Sequence, residues 1–148
     1  MNYKVINLLQ TREIRISLTR SEEELMDFIE KNFKEIPNYS AIKLCEEAYD
    51  YNSDDRDIKD NLSICYFRKG EYEKAEKISD ELVVAAPNFV EGFYHGIQIA
   101  MKLNKYDKAA EYAEKLKECK RSGMTTVTEE EVNKLIQEVK NHNENTIG

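Results

Sequence analysis

A chain of 148 residues is about the size of one domain, and its 41% apolar share can fill a slender core, while five Gly, two Pro and 34% charged residues favour long solvated helices over a turn-rich β architecture. The 22 Lys and Arg against 29 Asp and Glu leave a net charge of −7 without a basic stripe, which argues against a nucleic-acid partner. No stretch approaches the ~20 apolar residues that a membrane span needs.

At the start of the chain, Val5, Ile6, Leu8 and Leu9 suit either a short helix or an extended arm. Ile14, Ile16 and Leu18 alternate as a strand would, so residues 1–20 are expected to be an N-terminal arm of open conformation. Lys4 and two Asn interrupt Met1 to Gln10 where a secretory leader would be apolar, and a cytoplasmic protein is expected. A helical domain is expected over 21–143, with a frayed tail at 144–148.

Ser21-x-x-Glu24 reads as a capping box ahead of a helix carrying Leu25, Phe28 and Ile29. Pro37 starts the next helix, in which Ala41, Cys45 and Ala48 share a face. Ile58, Leu62, Cys65 and Tyr66 then recur at i, i+4, i+7 and i+8, and Ala75, Ile78, Leu82, Val83 and Ala86 continue that spacing, which predicts two amphipathic helices. Asn88-x-x-Glu91 reads as a cap after Pro87. Thr128-x-x-Glu131 opens a last helix with Val132, Leu135, Ile136 and Val139 on one face.

The segment Gly70-Glu71-Tyr72-Glu73-Lys74-Ala75 returns 34 residues later as Asn104-Lys105-Tyr106-Asp107-Lys108-Ala109. Working outward, the unit runs Leu62-Ser63-x-x-Tyr66-x-x-x-Gly70-x-Tyr72-x-x-Ala75 and closes with Leu82 and Pro87. Small Ser63 and Ala75 let two antiparallel helices approach, Gly70 supplies the turn, and Pro87 cannot extend the helical ladder. This pattern resembles the tetratricopeptide repeat family. The resemblance implies an all-α array of about three antiparallel helix hairpins, over roughly 22–55, 56–89 and 90–123, closed by a capping helix from about 128. In the third unit Gly96 stands one residue ahead of the usual small position, which predicts either a shifted first helix or a turn longer by one residue.

Such arrays curve and line a concave surface with the first helix of every hairpin. The register implied by the resemblance places Met26, Phe33, Asp57, Asp60, Ile64, Phe67, Tyr94, Gln98 and Met101 there, acidic at one edge and apolar along the other. The expected partner is a protein or peptide, laid in the groove as an amphipathic segment with a Lys or Arg meeting Asp57 and Asp60. The bland alternative is that the arm or the second helices consume these side chains and the protein is a scaffold; a small chaperone for an unfolded client, as in the bacterial secretion chaperones, is a further one. Family members that clamp acidic C-terminal tails use Lys, Asn and Arg on this surface. Here Met26, Glu30, Asn61, Glu91 and His95 stand in that row, so an acidic tail should be repelled. Cys65-Tyr66-x-x-x-Gly70-Glu71-Tyr72 is also similar to the mitochondrial fission adaptor family, whose C-terminal membrane anchor has no counterpart in Asn141 to Gly148.

Catalysis finds little footing. No glycine-rich phosphate loop, His-Glu-x-x-His or Gly-x-Ser-x-Gly is present, and His95 and His142 are the two histidines. Cys45, Cys65 and Cys119 form no Cys-x-x-Cys pair, so they are expected to be buried free thiols, with no metal and no cofactor. Oligomeric state is open at this level.

Overall fold

The computed structural model describes residues 45–46, 49–50, 53–122, 125 and 127–147. The arm over 1–20, the helix expected after Ser21, the expected helix start at Pro37, and Met26 and Phe33 lie outside the described residues. From residue 53 on, five helices follow one another among the described residues: α1 (Arg56–Lys69), α2 (Tyr72–Ala85), α3 (Val90–Lys102), α4 (Tyr106–Glu118) and α5 (Glu129–Ile147). Cys45, Glu46, Tyr49 and Asp50 are also helical, and no strand occurs among the described residues. The fold is all-α, built of tandem helix hairpins. The chain divides into two compact units, Met1–Ile78 and Ser79–Gly148, with the division inside α2.

In the first unit, Asp55 caps α1 by accepting the Ile58 N–H at 3.0 Å, and Arg68 and Lys69 complement the dipole at its other end. Gly70 ends the helix at φ +85°. The Gly70 and Glu71 N–H groups bond back to the Phe67 and Tyr66 carbonyls. The Phe67 and Tyr72 rings meet edge to face across this turn at 5.4 Å. Ile58, Leu62, Cys65 and Ala75 are buried with Cys45 and Ile78, as their helical spacing requires.

The second unit repeats the turn chemistry. Asn104 stands at φ +60°, and the Asn104 and Lys105 N–H groups bond to the Met101 and Ala100 carbonyls, each 34 residues beyond its counterpart. The turn is therefore not lengthened. What shifts is the point of closest helix approach: a Cβ on Gly96 would lie 3.1 Å from Ser79 Oγ and from two carbons of the Tyr112 ring. Position 112 is a tyrosine where the preceding hairpin has Ile78, and Gly96 replaces Leu62, so a larger side chain on one helix is matched by loss of one on the other.

Val83, Phe93, Ile97, Tyr112, Leu116 and Leu135 belong to the second unit's apolar core, with Phe93 and Tyr112 edge to face at 5.6 Å. Thr128 Oγ1 accepts the Glu131 N–H at 3.1 Å, the cap its spacing predicts. Asn88 is not the cap of α3. Buried Phe89 occupies that place without a side-chain bond, because packing the ring fixes the chain entry instead. Helix α5 carries on to Ile147, past the expected start of fraying, and His142 stacks on Tyr106 of α4 at 3.7 Å between centroids.

Candidate functional site

The row expected to face a partner is set by the helical period on the first helix of each hairpin. On α1, Asp57 and Phe67 are half-buried, whereas Asp60 and Ile64 are 0% and 7% exposed. All residues from Ile58 to Tyr66 are buried, including Lys59, Asp60, Asn61 and Ser63. This helix has no solvated stripe along its middle two turns.

On α3 the row is open. From Val90 to Met101 every residue is buried except Tyr94, Gln98 and Met101, which are half-buried. They fall at i, i+4 and i+7, one strip along the helix. Tyr94 and Met101 also pack against the second unit's core, so their outward surface is what remains available. The strip offers an aromatic ring, an amide able to donate and accept, and a polarisable thioether.

Its electrostatics come from the last helix. Burial pushes the Tyr94 phenol above its ordinary value, and the carboxylates of Glu131 and Glu138 on α5 push it further. Negative potential therefore bears on the strip from residues the groove register omits. Their i, i+7 spacing on the capping helix was a usable signal in the sequence. Glu91 and His95, from the row that could have met a C-terminal carboxylate, are 2% and 3% exposed.

Two cavities lie elsewhere. One of about 330 Å³ in the first unit is floored by Leu62 and Ile78 and rimmed by Glu46, Asp50, Lys74 and Lys77. Tyr66 closes one wall by donating to Glu46 Oε2 at 2.8 Å, with Lys74 Nζ 5.6 Å from its ring centroid. The other, about 320 Å³, lies between α4 and α5 over Ala110, Ala113, Ile136 and Val139. Among the described residues no three His, Cys, Asp or Glu side chains are placed to hold a metal ion. No helix among them is long and apolar enough to cross a membrane.

The left-handed turn after α1, the small residues on facing helices and the 34-residue spacing are the marks of one repeat family. Residues 40–92 match the family model of the tetratricopeptide repeat. The match covers a little over a third of the chain, and α1, α2 and the turn between them lie inside it. Tetratricopeptide repeats are a non-enzymatic family that mediates protein–protein interaction. No curated protein and no solved structure matches the chain, and the similarity to the mitochondrial fission adaptor gains no support.

Proposed function

We propose that this protein is an interaction module, or adaptor, that binds a basic, apolar-anchored polypeptide segment through the row on its first helices. The observation that carries this is the strip Tyr94, Gln98 and Met101, the half-open face of an otherwise buried helix. The tetratricopeptide match supports a polypeptide as the ligand class. Glu131 and Glu138 beside Tyr94 favour Lys or Arg in the bound segment. Asp57 and Phe67 pair an acid with a ring on α1, and the repeat register adds Met26 and Phe33, outside the described residues.

A second reading is favoured by the burial of Asp60 and Ile64: the α1 part of the row is consumed within the chain, and α3 carries the contact alone. A chaperone for unfolded clients is the remaining alternative.

Selection from a displayed peptide library separates these. The adaptor reading expects enrichment of sequences with apolar residues at helical spacing and Lys or Arg beside them, lost with Tyr94→Ala or Met101→Glu while helical circular dichroism is kept. A chaperone would enrich apolar sequences whatever their charge. Enrichment of acidic C-terminal sequences would overturn both.

A further inference from the structure

Two contacts of equal span join the helical residues before α1 to α1 itself. The Cys45 and Cys65 sulfurs lie 3.5 Å apart, with the residues 1% and 5% exposed. One position further along each segment, the Tyr66 hydroxyl donates to Glu46 at 2.8 Å. That bond fixes the register of the two segments, so the thiols are held facing each other. A disulfide brings sulfurs to about 2.05 Å, so side-chain rotation and a small helix shift must supply roughly 1.5 Å.

We propose that Cys45 and Cys65 are a modification site, forming a reversible intramolecular disulfide by exchange with a low-molecular-weight disulfide of the glutathione type. Cys65, the more exposed of the two, gives up its proton and attacks one sulfur of the small disulfide. A mixed disulfide forms and one small thiolate leaves. The Cys45 thiolate then attacks the Cys65 sulfur and expels the second small thiolate, and the two protons lost by the protein pass to the two leaving groups. The protein pair is oxidised by two electrons and the small disulfide is reduced to two thiols.

The environment decides the order and the rate. Contact with Cys65 and burial push the Cys45 thiol well above its ordinary value, which keeps it from attacking first and leaves it for the second step, once the mixed disulfide has opened the contact. Exchange is slow because a small disulfide reaches the buried Cys65 sulfur only on local opening, and reduction of the finished bond is slow for the same reason. Cys119 provides the contrast. It is half-buried, and its sulfur donates to the Lys115 carbonyl at 3.5 Å, so exchange there stops at the mixed disulfide. Closure of the 45–65 pair ties the wall of the first-unit cavity that carries Glu46 to the wall that carries Tyr66.

The test is incubation of the full native chain with oxidised glutathione, followed by alkylation of remaining thiols and peptide mapping by mass spectrometry. The expected product links the Cys45 and Cys65 peptides with loss of two hydrogens, reverts in excess reduced glutathione, and leaves Cys119 as a glutathione adduct. Cys45→Ser should convert Cys65 to a stable adduct; the map of the native chain decides the matter alone if that variant does not fold. Recovery of Cys45 and Cys65 as alkylated thiols or as separate adducts would overturn the proposal, as would a link that forms only after denaturant is added.

Discussion

The hydroxyl of Tyr112 donates to Asp80 Oδ1 at 2.8 Å, while Lys108 Nζ holds Oδ2 of the same carboxylate at 2.7 Å. In the preceding hairpin the equivalent carboxylate and lysine are Glu46 and Lys74, but the phenol that reaches Glu46 belongs to Tyr66, on the first helix rather than the second. The lysine lies over the tyrosine ring in both, at 5.7 and 5.6 Å. A tyrosine bonded to a carboxylate with a lysine over its ring thus occurs twice from different helix positions, but Lys74 pairs with Glu71 at 3.6 Å where Lys108 pairs with Asp80. Removing the phenol oxygen leaves a part-buried carboxylate with one donor fewer, so Tyr112→Phe is expected to cost about 1–2 kcal/mol in urea unfolding. Tyr66→Phe should cost a similar amount.

Gly96→Ala tests the closest helix contact. Alanine gains about 1 kcal/mol of helix propensity over glycine. Its Cβ, however, meets Ser79 Oγ and the Tyr112 ring at 3.1 Å, and that ring is pinned by Asp80 and by Phe93. Overpacking of about 1–3 kcal/mol therefore outweighs the gain, and the variant is expected to unfold at lower urea. In a Tyr112→Ile background, which restores the residue found at 78, the penalty should shrink or change sign; an additive double mutant would show that the two positions do not share the space.

The two turns predict responses of different size to substitution of their left-handed residue. A Cβ added to Gly70, at φ +85°, would meet nothing within 4 Å, so any cost there is backbone strain alone. Gly70→Val should lose about 1–2 kcal/mol, and Gly70→Asn, which copies Asn104, distinctly less. Asn104→Gly relieves the left-handed residue but removes the acceptor of the Tyr106 hydroxyl at 2.7 Å, so its net effect should stay within about 0.5 kcal/mol. Equilibrium unfolding of the three variants checks the ranking.

Alkaline stability follows from two tyrosines. Burial, the bond to Glu46 and the carboxylates of Glu46, Glu71 and Asp50 raise the Tyr66 phenol; burial with Glu131 and Glu138 raises Tyr94. A phenol raised in the folded state releases its proton more readily when unfolded. Its stabilisation is complete below the unfolded value, near 10, and is lost as pH climbs from there toward the folded value. Unfolding free energy should fall with pH above about 10, and the fall should flatten in Tyr66→Phe and Tyr94→Phe.

The 34-residue period, the turn at Gly70 and the apolar stripe of α1 and α2 were legible because each is local: a glycine for a left-handed turn, a proline after a helix, spacing of 3.6. Asn104 was legible only as the partner of Gly70 in that period. The place of Gly96 was not, because it depends on Tyr112 filling space that Ile78 leaves to Leu62 in the preceding hairpin, and such compensation appears only when two helices are seen together. Burial of Asp60 and Asn61 was equally hidden, since the repeat register turns both toward the open groove. For the candidate site, Tyr94, Gln98 and Met101 were named by the register that the repeat resemblance implies, whereas Glu131 and Glu138 come from a helix outside the repeated unit.

The most direct measurement is a nuclear magnetic resonance titration of the labelled protein with a basic amphipathic peptide recovered by display. Shifts concentrated at Tyr94, Gln98 and the Met101 methyl, and weakened by salt and by Glu131→Gln with Glu138→Gln, are the predicted result. Shifts confined to other helices, or equal binding by an acidic peptide, would contradict the assignment of this face.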